Sequence, residues 1–170
     1  MRVAIIENMA GTPHGQIGIA LEEAAADVHV IRAYAGEPLP ADASDHDALV
    51  VLGGEQNALD DALYPYLPDL ALLMKRFGDA GKAVMGVCLG SQLLARAYGG
   101  DNILSGPPEF GWEDVSLTEE GASDPLSPCD KRRDPEPGLS YWSRGLWHAV
   151  SFRGFHHGGR RLVPDLPCFR

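Results

Sequence analysis

The chain has 170 residues, 45% hydrophobic and 22% charged, which suits one soluble domain with a sizeable core. Its net charge of −10 argues against nucleic acid as a partner, and no apolar run approaches the roughly 20 residues of a membrane-spanning helix. The cysteines, Cys88, Cys129 and Cys168, are odd in number and widely spaced, which excludes a disulfide framework or a zinc site and fits a reducing cytoplasm.

Residues 2–6 (RVAII) read as a first strand, entered directly from Met1 without a charged-then-apolar leader. A loop with Gly11 and Pro13 follows, then an Ala-rich helix over 16–26. A second strand is predicted over 28–31, a proline-bearing loop over 36–45 and a fully apolar strand over 48–52, closed by Gly53-Gly54. Leu70, Leu73, Met74 and Phe77 recur at i, i+3, i+4 and i+7, so residues 66–78 are expected to be helical. Alternating strands and helices predict an α/β fold, a mostly parallel sheet with helices on both faces. Ligands then bind at the edge where the strands end.

The most informative stretch is 82–100, KAVMGVCLGSQLLARAYGG. Its apolar run 83–87 reads as a buried strand and 91–98 as a helix ended by Gly99-Gly100. Cys88 therefore falls on a sharp strand-to-helix turn between Gly86 and Gly90, a nucleophile elbow with a thiol in place of a hydroxyl. The turn lifts the sulfur out of the sheet, brings it to the positive end of a helix and leaves the Leu89 N–H free to hold an oxyanion. Gly53-Gly54 follows the neighbouring strand, where it either presents a second such N–H or makes a plain tight turn.

Beyond Gly100 the pattern becomes β-like, with short strands expected over 102–104 and 112–117 and strand pieces near 141–142, 146–148 and 150–152. Charge changes as well. Residues 1–130 hold 6 Lys+Arg and 21 Asp+Glu, a net of −15, whereas 131–170 hold 8 and 3, a net of +5.

Three segments, DALVVLGGEQNA at 47–58, VMGVCLGSQLLARAYGG at 84–100 and PEFGWEDVSLTEEG at 108–121, resemble the class I, triad-type glutamine amidotransferases. The likeness is to stand-alone members similar to the amidotransferase domain of GMP synthase, and covers about residues 1–126. It implies a flavodoxin-like amidotransferase fold, with 1–126 as the core of a single domain and 127–170 as an atypical C-terminal part. It further implies that Cys88 attacks the side-chain amide of glutamine and that Leu89 and Gly54 supply the oxyanion-hole N–H groups. Gln92 and Glu109 would then serve the substrate site, and so would His148, whose setting LWHAVSF is similar to a Trp-His-Gly-Asp-Thr-Phe stretch of the family. No metal or other cofactor is expected: there is no P-loop and no Cys/His cluster with ligand spacing.

The implied reaction gives glutamate and ammonia by way of a γ-glutamyl thioester, the ammonia passing to a synthase partner. It needs a histidine to take and return protons and a carboxylate to orient it. The family carries these as His-Pro-Glu, which does not occur here. His14, His29 and His46 read as structural or surface groups, and His156-His157 stand early for the role. The expectation is a C-terminal segment that is truncated, frameshifted or diverged, and at best weak glutaminase activity. A non-catalytic amidotransferase-like module and a γ-glutamyl cysteine hydrolase are the alternatives.

Overall fold

The computed structural model describes residues 1–102. Strand β1 (Arg2–Glu7) leads through helix α1 (Gly15–Glu23) to β2 (Asp27–Arg32) and a 3-10 turn at Ala33–Ala35. Strand β3 (Ala48–Val51), helix α2 (Leu67–Asp79), strand β4 (Ala83–Gly86) and helix α3 (Leu89–Ala97) follow. The four strands form one parallel sheet in the order β2-β1-β3-β4, the predicted α/β architecture. The 3-10 turn was not expected. The strands foreseen over 112–117 and beyond lie outside the described residues, as does nearly all of the 102–104 piece, whose first residue Asn102 is in irregular chain.

Strand β1 is central and apolar through Val3–Ile6, as a strand covered on both faces must be. Alternation divides its side chains between two cores. Ala4 and Ile6, with Leu49 and Val51 of β3 and Val84 of β4, face Leu70, Leu73, Met74 and Phe77 of α2 and Leu93 and Leu94 of α3. Val3 and Ile5, with Val50 and Leu52, face Ile17 and Leu21 of α1. Helices thus cover both faces, although α1 buries no residue completely.

The strand order sets where the chain parts. From β1 it winds outward to β2, then returns to β3 on the other flank of β1. The crevice of such a fold opens at this reversal, beyond the carboxyl ends of β1 and β3. Asn8 and the Gly53-Gly54 loop sit there, and Cys88 follows the next strand along the same edge.

The opposite edge carries a polar knot. His29 Nδ1 and His46 Nε2 lie 3.2 Å apart, with ring centroids 5.4 Å apart and planes 16° from parallel. The rings therefore meet nitrogen to nitrogen, within hydrogen-bond distance. Lys82 Nζ donates to the carbonyls of His46, at 2.6 Å, and of Ala43. Burial, reinforced by the charges of His29 and Arg2, pushes the pKa of His46 below its ordinary value. The unfolded chain then binds a proton that the folded one refuses, so stability is complete above the ordinary imidazole pKa of 6.5 and is lost as pH falls toward the lower folded value. Thermal unfolding between pH 7.5 and 5 should show this decline, flattened in His46→Gln. An equally steep decline in the variant would refute the assignment.

Candidate functional site

Strand β4 ends on a hydrogen bond from Val87 N–H to the carbonyl of Val51, 2.9 Å. The backbone then reverses at Cys88, with φ 54° and ψ −112°, a conformation that L-residues adopt only at a cost of about 1–3 kcal/mol. Helix α3 starts at once. The Cys88 carbonyl accepts from Ser91 N–H at 2.9 Å, Gln92 N–H at 3.2 Å and Ser91 Oγ at 2.7 Å, which pins the strained peptide in place. These bonds explain why the helix begins at Leu89 rather than at Ser91.

Two glycines make the turn sterically feasible. A Cβ on Gly86 would stand 2.5 Å from the Gly90 carbonyl carbon and 2.7 Å from Ser91 N. One on Gly90 would collide with the Val51 carbonyl, whose carbon would be 2.9 Å away. Strand and helix backbones are therefore in direct contact.

The Cys88 side chain is partly exposed, is not in a disulfide and does not cap the helix. Gly53 lies beside it: a Cβ placed there would be 3.3 Å from Cys88 Cβ and 3.7 Å from Sγ. The loop after β3 and the elbow thus meet, as the topology requires. Neither the Leu89 N–H nor the Gly54 N–H is hydrogen-bonded among the described residues. Gln92 is partly exposed one turn into α3, and its side-chain amide is likewise without a bond. Glu109 and His148 lie outside the described residues.

Several contacts that hold this loop carry no local sequence signal. Asn8, fully buried just after β1, donates from Nδ2 to the Leu52 carbonyl at 2.7 Å. Gln56 Nε2 donates to the Asn8 carbonyl at 2.6 Å. Arg96 of α3 grips the far end of the loop, bonding the Ala58 carbonyl at 2.6 Å and both oxygens of Asp61 at 2.7 Å. That bidentate fork holds the Asp61 carboxyl below the usual carboxylate range.

No histidine is hydrogen-bonded to Cys88 among the described residues. His14 shares the elbow's edge of the sheet but bonds Glu7 at 2.9 Å, a carboxylate that Arg32 also approaches, and β3 stands between β1 and β4. His29 and His46 belong to the opposite edge. No group of three or more His, Cys, Asp or Glu side chains among the described residues is arranged to hold a metal. A cleft of about 480 Å³ opens between residues 36–41 and α2, lined by Pro38, Pro40, Pro65 and Tyr66 among others, but Cys88 is not in its wall. Its Tyr66 hydroxyl is pushed up to about 12 by burial. No helix among the described residues is long and apolar enough to cross a membrane.

The sequence and the fold have counterparts in known proteins. Residues 14–136 match the family model of glutamine amidotransferase class-I. The chain is similar to the glutamine amidotransferase-like protein YfeJ of Salmonella typhimurium, 40% identical over 98 residues, covering 56% of this chain and 41% of YfeJ. It is also similar to the glutamine-hydrolyzing GMP synthase of Serratia proteamaculans, 33% identical over 98 residues, covering 55% of this chain and 17% of that protein. Among solved structures, the glutamine amido transferase of Methylobacillus flagellatus superposes with a TM-score of 0.55 at 36% identity, covering 58% of this chain and 39% of that one. The match spans less than half the length of each of these relatives.

Proposed function

Because the chain belongs to the class I glutamine amidotransferase family, we propose that Cys88 is the nucleophile of a glutamine-hydrolysing site. The observation that carries this reading is a partly exposed thiol on a strained strand-to-helix turn, with two nearby backbone N–H groups, of Leu89 at the start of α3 and of Gly54 in the loop after β3, that are unpaired among the described residues. In this reading the sulfur bonds to the side-chain carbonyl carbon of glutamine, and the developing oxyanion takes hydrogen bonds from the two amides. The C–N bond then breaks as the proton given up by the thiol passes to the nitrogen, ammonia leaves, and a γ-glutamyl thioester remains. Water adds to it, the C–S bond breaks and glutamate is released. Gln92 contacts the bound glutamine, and Glu109 and His148 complete the pocket. The ammonia is delivered to a synthase partner, in keeping with the GMP synthase likeness, and the setting is the cytoplasm.

A second reading is favoured by one observation: the sequence contains no His-Pro-Glu. Without a proton carrier the site would bind glutamine and hold its thiol ready, yet turn over slowly, since the members of such a triad act as a unit.

A glutamine-like chloroketone separates these readings. Cys88 is expected to be alkylated at least about tenfold faster than a free thiol, glutamine is expected to slow the reaction, and Cys88→Ala to abolish it. Alkylation at the free-thiol rate, indifferent to glutamine, would refute the pocket. Ammonia release above that of Cys88→Ala identifies the hydrolase, and protection without ammonia identifies the binding module.

A further inference from the structure

The reversal between β1 and β3 is bridged by two buried amides that the reaction scheme leaves without a role. Asn8 ties the end of β1 to the Leu52 carbonyl, and Gln56 ties the loop after β3 back to the Asn8 carbonyl. Gly54 is wedged between this pair and the first residue of α3. A Cβ on Gly54 would stand 2.9 Å from Asn8 Cβ and 3.1 Å from Leu89 Cδ2, and would collide with Gln56 Oε1. Asn8 and Gln56 thus form one wall of a slot whose other wall is Leu89, and the slot holds Gly54.

The hydrogen bonding of the pair is lopsided. Each amide donates from its nitrogen, while Asn8 Oδ1 and Gln56 Oε1 are buried and unpaired among the described residues. A buried acceptor left unpaired is destabilising, and apolar groups of the same shape avoid that penalty. Stability alone therefore does not account for two amides here. A bond that fixes the loop in one position does.

We propose that Asn8 and Gln56 are positioning residues that set the distance between the Gly54 and Leu89 amides, and with it the ability of the site to hold an oxyanion. The inference rests on reading the elbow as a glutamine-hydrolysing site. Neither side chain touches the substrate; both act through the Gly54 backbone.

Two reagents with different demands test it on the full chain. The chloroketone passes through an oxyanion when the thiolate adds to its carbonyl before chloride leaves. With iodoacetamide the thiolate displaces iodide directly at carbon and no oxyanion forms. In Gln56→Met the maximal chloroketone rate is expected to fall at least about tenfold. The half-saturating concentration should change less than about threefold, the iodoacetamide rate less than about twofold, and Tm should stay within about 5 °C of the parent. Equal changes with both reagents, or no change with either, would overturn the proposal. Should Gln56→Met fail to fold, Gln56→Asn, whose shorter arm cannot reach the Asn8 carbonyl, is read the same way. A parent protein whose Cys88 is not protected by glutamine overturns the functional reading and this inference with it. Protection in the parent combined with an unchanged Gln56→Met overturns the positioning role alone.

Discussion

Gly90→Ala is expected to destabilise the fold by roughly 3 kcal/mol and to abolish selective alkylation of Cys88. The added methyl would drive into the Val51 carbonyl, which also accepts the last hydrogen bond of β4, from Val87 N–H. Neither group can step aside cheaply. The carbonyl belongs to a strand buried on both faces, and α3 is held against the sheet by Leu93 and Leu94 in the core. Relief requires α3 to lift from the sheet, which breaks the β4 bond or turns the Leu89 amide away from the sulfur. Denaturant unfolding measures the first effect and chloroketone alkylation the second. Gly36→Ala is a useful control: its φ is also positive, at 80°, but no heavy atom lies within 4 Å of the new methyl, so its cost should be confined to about 1 kcal/mol of backbone strain. A Gly90→Ala protein as stable as Gly36→Ala would show that strand and helix are not in contact as described.

The second large effect has opposite signs for stability and chemistry. Cys88→Gly is expected to be more stable than Cys88→Ala by about 1 kcal/mol while reacting with no thiol reagent at this site. Both variants lack the sulfur. Alanine retains the Cβ that φ 54° and ψ −112° disfavour, whereas glycine occupies that region freely and loses part of the gain through a more flexible unfolded chain. Strain held at Cys88 is therefore removable by a substitution that also removes the thiol. If Cys88→Ala proves the more stable of the two, the turn is not strained and the account of the elbow is wrong.

Where backbone sterics dictate residue type, the sequence was easy to read. Continuous apolar runs of four to five residues marked β1, β3 and β4, because a parallel strand covered on both faces has no polar side to display. The 3.6-residue spacing of Leu70, Leu73, Met74 and Phe77 marked α2, and all four are buried. Gly86 and Gly90 announced the elbow because the approach of two backbones forbids any side chain there. Helix α1 (Gly15–Glu23) is shorter than the 16–26 that its composition predicts. It ends at Glu23 because the chain must turn through Ala25, at φ 49°, to enter β2 at Asp27.

Asn8, Gln56 and Arg96 were illegible for one shared reason. Each acts on a segment dozens of residues away: 44 residues from Asn8 to Leu52, 48 from Gln56 to Asn8 and 35 from Arg96 to Asp61. A polar residue in a loop or on an exposed helix face has the same local appearance whether or not it reaches such a partner. The head-to-head contact of His29 and His46 was hidden likewise, since only the registers of β2 and β3 against β1 bring the two rings together.

The parallel sheet also bears on the order in which the molecule is assembled. Every neighbouring pair of strands must be closed by a long excursion of the chain, and β1 finds β3 only across more than forty residues. Such non-local pairings are slow to form. Val51, itself part of that pairing, accepts the Val87 N–H bond that leads into the turn at Cys88, so the bend rests on it. The surroundings of the thiol therefore depend on strands that lie far apart in the sequence.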